Sequence, residues 1–191
     1  MNFLAHLYLS FDQEQILIGN FIADFVKGKE FEKYSPEIQK GIILHRKIDF
    51  FTDQHPIVKQ SVKRLQSTQG RYASVLVDVF YDYFLAKNWK NYHIEELDFF
   101  AQNTYLSFQK NQEFLPEKLQ KILPLMIQNN WLVNYANFEG IDKSLKSLAK
   151  RATFESQILN ALQDFQNNIE DYAQDFAIFF PDLIGFVKQN N

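Results

Sequence analysis

Side chains that can bind a metal recur at intervals of four residues in the first half of this chain. His45, Asp49 and Asp53 stand in the stretch LHRKIDFFTDQHP, and Asp78 and Asp82 repeat the interval in VDVFYDYF. Residues four apart lie on one face of an α-helix, so the spacing favours helices and limits which side chains can meet. The acids stand among residues that favour burial, where an unpaired carboxylate costs several kcal/mol. The pattern therefore predicts a site in which these charges are paired or bound to a metal.

The rest of the sequence also has a helical pattern. Glycine and proline are scarce, six and five in 191 residues, and apolar residues recur at intervals of three and four. Ser35 and Pro36 are typical of a helix start, Pro56 of a helix boundary, and Pro124 is expected to kink or split its helix. The sequence predicts one all-α domain over residues 1–191, a bundle of about eight or nine helices at 12–27, 37–53, 57–67, 70–87, 94–110, 116–134, 138–150, 153–168 and 170–188.

Composition narrows the class of protein. The chain has no cysteine, which excludes disulfides, zinc-thiolate sites and thiol catalysis. The start MNFLAHLYLSFDQEQ lacks the features of a signal peptide, and no apolar run approaches the ~20 residues that span a bilayer. We expect a soluble cytoplasmic protein with no membrane partner, and the net charge of −3 argues against nucleic acid as a partner.

Positive charge is concentrated in the same region as the candidate site. Residues 27–71 carry ten Lys or Arg and five acids, a local balance of +5. Solvated helix faces would account for this balance. A surface that receives an anionic substrate or an acidic protein would account for it equally, and its overlap with the acidic positions favours that second interpretation.

The residues themselves suggest a metal centre for phosphate chemistry. His45 and Asp49 on one helix could face Asp78 and Asp82 on a second, with Asp24, inside the apolar stretch ILIGNFIADFV, completing the set. Carboxylates and imidazoles suit divalent metals where thiolates are absent. Other interpretations remain open: the Asp pairs could be solvated faces, and each remaining candidate has a structural role available, namely Asp53 as a helix cap, His55 as a turn residue, Arg46 as a surface side chain and His6 as a core histidine.

Four N-terminal blocks, in a fixed order, resemble a known family. They are MNFLAHLYLS, GNFIADFVKG, GIILHRKIDFFTDQHP and VDVFYDYFLAKNW, and weaker likeness continues through WLVNY and SLKSLAKR. Together they resemble the acyl carrier protein phosphodiesterases, also called acyl carrier protein hydrolases. The resemblance implies an all-helical fold related to HD-type phosphohydrolases. It also implies dependence on a divalent metal, usually Mn²⁺, with Mg²⁺ or Fe²⁺ as other candidates.

The resemblance also implies a reaction, a partner and roles for residues. The reaction is hydrolysis, by metal-activated water, of the phosphodiester between 4′-phosphopantetheine and a serine of holo-acyl carrier protein. One position departs from the family, because Tyr83 follows Asp82 where the family is expected to have histidine. The residues implied for metal binding are Asp24, His45, Asp49, Asp53, Asp78 and Asp82, and those implied for catalysis are Arg46, His6 and His55.

Within that set, we expect His45, Asp24 and Asp78 to contact the metal. Asp49 and Asp82 then complete the site or orient the histidine, Arg46 stabilises the developing charge, and His6 or His55 protonates the leaving oxygen. Two other functions are compatible with the sequence. One is a metal phosphohydrolase for nucleotides or another small phosphodiester, and the other is a non-catalytic helical module that binds an acidic protein.

Overall fold

The protein is all-α in the computed structural model, which describes residues 1–154 and 156–190. Within that part of the chain there are eleven α-helices and no strand. The helices are α1 Phe3–Tyr8, α2 Glu14–Ile22, α3 Pro36–Gln54, α4 Pro56–Gln69, α5 Ala73–Lys87, α6 Leu97–Lys110, α7 Glu117–Gln128, α8 Trp131–Asn134, α9 Phe138–Arg151, α10 Ala161–Asn167 and α11 Ile169–Asn190. Short 3₁₀ helices lie at Ala23–Phe25, Glu30–Lys33, Gly70–Tyr72, Trp89–Asn91, Gln112–Phe114 and Ile158–Asn160.

The predicted boundaries of α3 and α4 are confirmed. The Ser35 hydroxyl accepts a hydrogen bond from the Ile38 amide at 3.4 Å, and Pro36 occupies the first turn of α3. Pro56 opens α4 in the same way. The apolar stripe of α3 is buried, including Ile42 and Ile48. Capping and proline geometry are local effects, which is why the sequence alone identifies them.

Several of the helix predictions were wrong. Helix α1 was missed, α10 begins at Ala161 rather than 153, and the segment 116–134 divides at Asn130 rather than at Pro124. Helix α7 continues through Pro124, whereas Asn130 has the left-handed φ of 42° that ends a helix. The helix predicted at 12–27 stops as an α-helix at Ile22 and tightens into a 3₁₀ turn.

Two glycines set the distance between α2 and α3. A Cβ atom added to Gly19 would lie 2.1 Å from the Ile38 carbonyl oxygen, and one added to Gly41 would lie 2.2 Å from the Ile16 carbonyl oxygen. Only glycine allows the two backbones to come this close. This contact brings the middle of α2 against the middle of α3, where the candidate residues lie.

Aromatic side chains fill the other half of the core. Phe80 of α5 stacks on Phe165 of α10 with 4.2 Å between ring centroids, and α11 buries Phe176, Phe179 and Phe180 against the bundle. The helix predicted at 170–188 is therefore confirmed, and it buries its phenylalanines against the bundle. No helix in residues 1–154 and 156–190 combines the length and the apolar character needed to cross a membrane.

Candidate metal centre

Two buried histidines are stacked where α1 meets α3. The rings of His6 and His45 lie 3.8 Å apart between centroids and within 10° of parallel. Their side chains are only 4% and 7% exposed. Two imidazoles this close cannot both be protonated without strong repulsion, so the pair needs a defined arrangement of protons.

Asn20 of α2 determines the tautomer of both histidines. Its Nδ2 donates to the His6 carbonyl oxygen at 2.7 Å, so its Oδ1 is the acceptor that faces His6 Nδ1 at 2.9 Å. The backbone oxygen of Asn20 accepts from His45 Nδ1 at 2.8 Å. Both Nδ1 atoms therefore carry the proton, and both Nε2 atoms point to the other side. Metal-ligating histidines are usually oriented in this way by a hydrogen bond from the other ring nitrogen.

Carboxylate oxygens converge on the two Nε2 atoms. Asp49 places Oδ1 3.1 Å from His6 Nε2 and Oδ2 3.1 Å from His45 Nε2. Asp24 Oδ1 lies 3.2 Å from His45 Nε2, and the Met1 carbonyl oxygen lies 3.1 Å from His6 Nε2. Asp49 and Asp24 are 40% and 63% exposed, so the cluster opens to solvent on their side.

The cluster has too few N–H donors for the carboxylate and carbonyl oxygens that face the two Nε2 atoms. Burial and the neighbouring charge of His45 lower the pKa of His6 to about 4, so His6 is neutral at pH 7. Its Nε2 lone pair then faces Asp49 Oδ1 and the Met1 carbonyl oxygen with no hydrogen between them. Burial also lowers the pKa of His45, but hydrogen bonds to Asp24 and Asp49 outweigh it and raise the value to about 9. A cation resolves this excess of lone pairs.

The donor set fits a divalent metal. One ligand atom from each of His6, His45 and Asp49 lies within 4.8 Å of the other two. Ligands about 2.1 Å from one ion are separated by roughly 3–4 Å, which agrees with the 3.1 Å contacts above. Two imidazoles and a carboxylate suit Mn²⁺, Fe²⁺ or Zn²⁺.

The two acids of α5 lie beside this cluster and have other partners. Both oxygens of the buried Asp82 accept backbone hydrogen bonds, from Leu4 at 2.8 Å and Ala5 at 3.2 Å. Asp78 lies 3.1 Å from the Met1 amino group, which is also 3.5 Å from Asp49. Burial raises the pKa of Asp82 to about 7 and also raises that of Asp78. Asp82 thus caps the N-terminus of α1 and holds His6 in place.

The remaining predicted residues are not brought into the cluster. Asp53 is exposed, one turn beyond Asp49 on α3. The Arg46 guanidinium donates to the carbonyl oxygens of Val26 and Gly28, each at 3.2 Å, and thereby fastens the segment after Asp24. His55 ends α3 with its Nε2 3.4 Å from Asp182, and it stands about 15 Å along the helix axis from His45.

Asn20 is the residue of this centre that sequence reasoning missed. It lies on α2 in the quoted block GNFIADFVKG, four residues before Asp24, which follows in the 3₁₀ turn Ala23–Phe25. A polar amide within an apolar helix was the available signal. Its meaning depends on the contact between α2 and α3, which no local pattern encodes.

The fold and the centre together define a class: an all-helical protein with a cluster of two buried histidines and two partly exposed aspartates, suited to one divalent cation. The chain belongs to the acyl carrier protein phosphodiesterase family, whose model matches residues 1–183. Two similar proteins carry the name acyl carrier protein phosphodiesterase. One, from Photorhabdus laumondii, is 34% identical over 95% of this chain and 92% of its own length. The other, from Yersinia enterocolitica, is 31% identical over 96% of both chains. No solved structure matches significantly.

Proposed function

We propose that this protein hydrolyses the phosphodiester between 4′-phosphopantetheine and the serine of holo-acyl carrier protein. Water is consumed, the serine oxygen–phosphorus bond breaks, and the products are apo-acyl carrier protein and 4′-phosphopantetheine. The observation that carries the proposal is the convergence of His6, His45 and Asp49, in a chain matched over almost its whole length by proteins of that name.

We propose that these three residues hold a divalent metal, Mn²⁺ being the first candidate, and that Asp24 adds a fourth ligand. When bound, the metal supplies a positive charge that acidifies water and offsets charge on phosphoryl oxygens. Asn20 fixes both imidazoles so that their Nε2 lone pairs face one point. This assignment makes His6 a ligand rather than a proton donor, and it leaves Asp82 as the residue that positions α1.

Arg46 has a positioning role in the proposed mechanism, and His55 has no role. Arg46 follows His45 directly and holds the segment after Asp24 close to the open side of the cluster. In the proposed mechanism Arg46 keeps Asp24 in place, and with it the solvent-exposed side of the cluster through which the phosphodiester enters. His55 has no role, because ten residues of helix separate it from His45 and its Nε2 is directed to Asp182.

The acidic partner is proposed to dock on the exposed face of α3. Lys40, Ile43, Lys47 and Phe50 recur there at helical spacing, and all are exposed, Phe50 by 69%. Positive charge with apolar side chains between suits a strongly acidic helical protein. Arg64 does not belong to this surface, because it forms ion pairs with Asp175 and Asp171.

Intact-mass spectrometry tests the reaction directly. Holo-acyl carrier protein is incubated with the protein and Mn²⁺, with and without a chelator. We expect loss of one 4′-phosphopantetheine, abolished by the chelator. Metal binding without this loss would indicate a phosphohydrolase for small phosphodiesters. Neither metal nor loss would indicate a helical binding module.

Charge reversal tests the docking face. Lys40→Glu with Lys47→Glu should raise the KM for holo-acyl carrier protein and flatten its dependence on salt, with bound metal unchanged. Lys87→Glu with Lys110→Glu changes the net charge equally on exposed parts of α5 and α6 and serves as the control. Equal effects of the two pairs would show that only net charge matters.

A further inference from the structure

A cavity beside the metal centre has no role in the function described so far. It has a volume of about 300 Å³ and lies between the N-terminal residues, α5, the turn between α7 and α8, and α9. Val75 and Val79 of α5 and Trp131 of α8 form apolar walls, and Ser144 lies on the α9 side. The volume is at the lower end of the range for small-molecule sites.

The cavity and the metal centre share one face of α5. Positions 75, 78, 79 and 82 follow the spacing i, i+3, i+4 and i+7, so Val75 and Val79 lie on the same stripe as Asp78 and Asp82. On the opposite wall, Asn2 lines the cavity and directly follows Met1, whose carbonyl oxygen is 3.1 Å from His6 Nε2. The cavity therefore adjoins the cluster along α5 and at the N-terminal residues.

The residues that line the cavity suit a narrow, extended ligand that contains amide groups. Apolar walls alternate with polar groups, including the amides of Asn2, Asn129 and Asn134 and the hydroxyls of Ser144 and Ser147. The side-chain N–H groups of these asparagines and the Ser144 hydroxyl already donate within the protein, so they face a ligand as oxygen acceptors. A chain with amide groups can donate to these oxygens, whereas a simple hydrocarbon cannot. The Asn2 amide donates to Tyr135 at 2.9 Å, which holds one of these groups in place.

We propose that this cavity receives the pantetheine arm of the substrate, with its amides against the asparagine and serine side chains. The inference rests on the proposed function and adds the subsite that selects this prosthetic group. The acyl carrier protein on α3 and the arm in the cavity then lie on different sides of the phosphodiester. The arm is the product that the protein must release after hydrolysis.

Binding of pantetheine, which has no phosphate, tests the cavity without reference to catalysis. Trp131 lines the cavity, so its fluorescence should change as pantetheine is added in the millimolar range. Ser144→Phe fills the cavity and should weaken binding at least about tenfold. Ser74→Phe adds the same bulk at an exposed position of α5 outside the cavity and should bind as the wild type does.

The same variants are then tested with holo-acyl carrier protein. Ser144→Phe should raise KM at least about tenfold with unchanged metal content, and Ser74→Phe should not. Absence of any pantetheine binding, or equal binding by Ser144→Phe, overturns the inference even if holo-acyl carrier protein is hydrolysed. Binding that Ser144→Phe abolishes, in a protein that does not hydrolyse holo-acyl carrier protein, supports the cavity and refutes the proposed function.

Discussion

Two regions of this protein place an aspartate against buried polar side chains, and they differ in how protons and lone pairs balance. One is the cluster of His6, His45, Asp49 and Asp24 between α1, α2 and α3. The other joins α4, α5 and α11 through Asp175, a residue that is only 4% exposed. In the sequence both regions show an aspartate followed directly by a phenylalanine.

The Asp175 network is complete. Arg64 and Ser61 donate to Asp175 Oδ2, the latter at 2.6 Å, and Gln60 donates to Oδ1 at 3.4 Å. Because the Ser61 hydroxyl proton is used, the Tyr81 hydroxyl must donate to Ser61 Oγ, 2.8 Å away. Both oxygens of the carboxylate have a donor, and its charge is matched by a guanidinium. Such a network connects helices and has no capacity left for a ligand.

The cluster at His45 lacks the donors that would complete it. The two Nδ1 protons are spent on Asn20, and on the other side the Nε2 lone pair of the neutral His6 faces Asp49 Oδ1 and the Met1 carbonyl oxygen with no hydrogen between them. The difference suggests a rule for this fold: an acid whose charge and lone pairs are matched by donors is structural, and a cluster with unmatched lone pairs identifies the place of a cation. The predictions that follow test this rule, from the largest expected effect to the smallest.

Loss of a ligand should have the largest effect. His45→Ala should reduce kcat/KM on holo-acyl carrier protein by ~10³-fold or more, because the metal supplies several kcal/mol of charge stabilisation. Bound metal should fall in parallel, as measured by elemental analysis, while circular dichroism stays helical. His55→Ala, on the same helix but outside the cluster, is the control. Normal metal content in His45→Ala would refute the proposed centre.

Asp175→Ala should have the opposite effect to His45→Ala: it should lower the free energy of unfolding and leave metal binding unchanged. Removing the carboxylate leaves Arg64 and Ser61 without their partner and should cost about 3 kcal/mol of unfolding free energy. Bound metal should not change. Asp182→Ala removes an exposed acid of the same helix, 60% exposed beside His55, and should cost less than about 1 kcal/mol. Urea unfolding measures both, and equal costs would contradict the structural role of the network.

Asp82 offers a test that depends on pH. Its pKa is raised from 3.8 to about 7 in the folded protein, so its neutral form is the one that folding favours. That stabilisation is complete below pH 3.8 and is lost as pH rises through 7. Between pH 5 and pH 8 the loss is roughly 2–3 kcal/mol.

Asp82→Asn, which cannot ionise, should lack this part of the pH dependence while still binding metal. The measurement is the difference in unfolding free energy between wild type and variant at the two pH values. An unchanged difference would show that Asp82 does not titrate in this range. Loss of metal would place Asp82 in the centre after all.

Replacing the residue that orients both histidines should have the smallest effect. Asn20→Ser removes the acceptor for His6 Nδ1 and should weaken metal binding about 10–100-fold, the usual cost of losing an orienting partner. Asn111→Ser alters another buried asparagine, which bonds Glu14 and the Ser107 carbonyl oxygen, and is the matched control. Metal titration distinguishes the two variants. Equal metal affinities of the two variants would show that Asn20 does not orient the metal-binding histidines.

The fold was predictable where local rules apply. Side-chain periodicity predicts the helical class. Capping predicts the start of α3 at Ser35, and proline geometry predicts the boundary at Pro56. Helix α1 was not predictable in this way, since six residues cannot form a stable helix alone. It exists because Asp82, some eighty residues away in sequence, accepts hydrogen bonds from its first amides.

The sequence by itself determined the family, the all-α class and the placement of His45 and Asp49 on one face of α3, because the helical period fixes neighbours within a helix. Only the tertiary structure decided that His6 and Asn20 join them and that Asp82 turns to α1 instead. These choices depend on how helices cross. The crossing is set by the backbone contact at Gly19 and Gly41 and by long-range hydrogen bonds, and neither leaves a periodic signal in the chain.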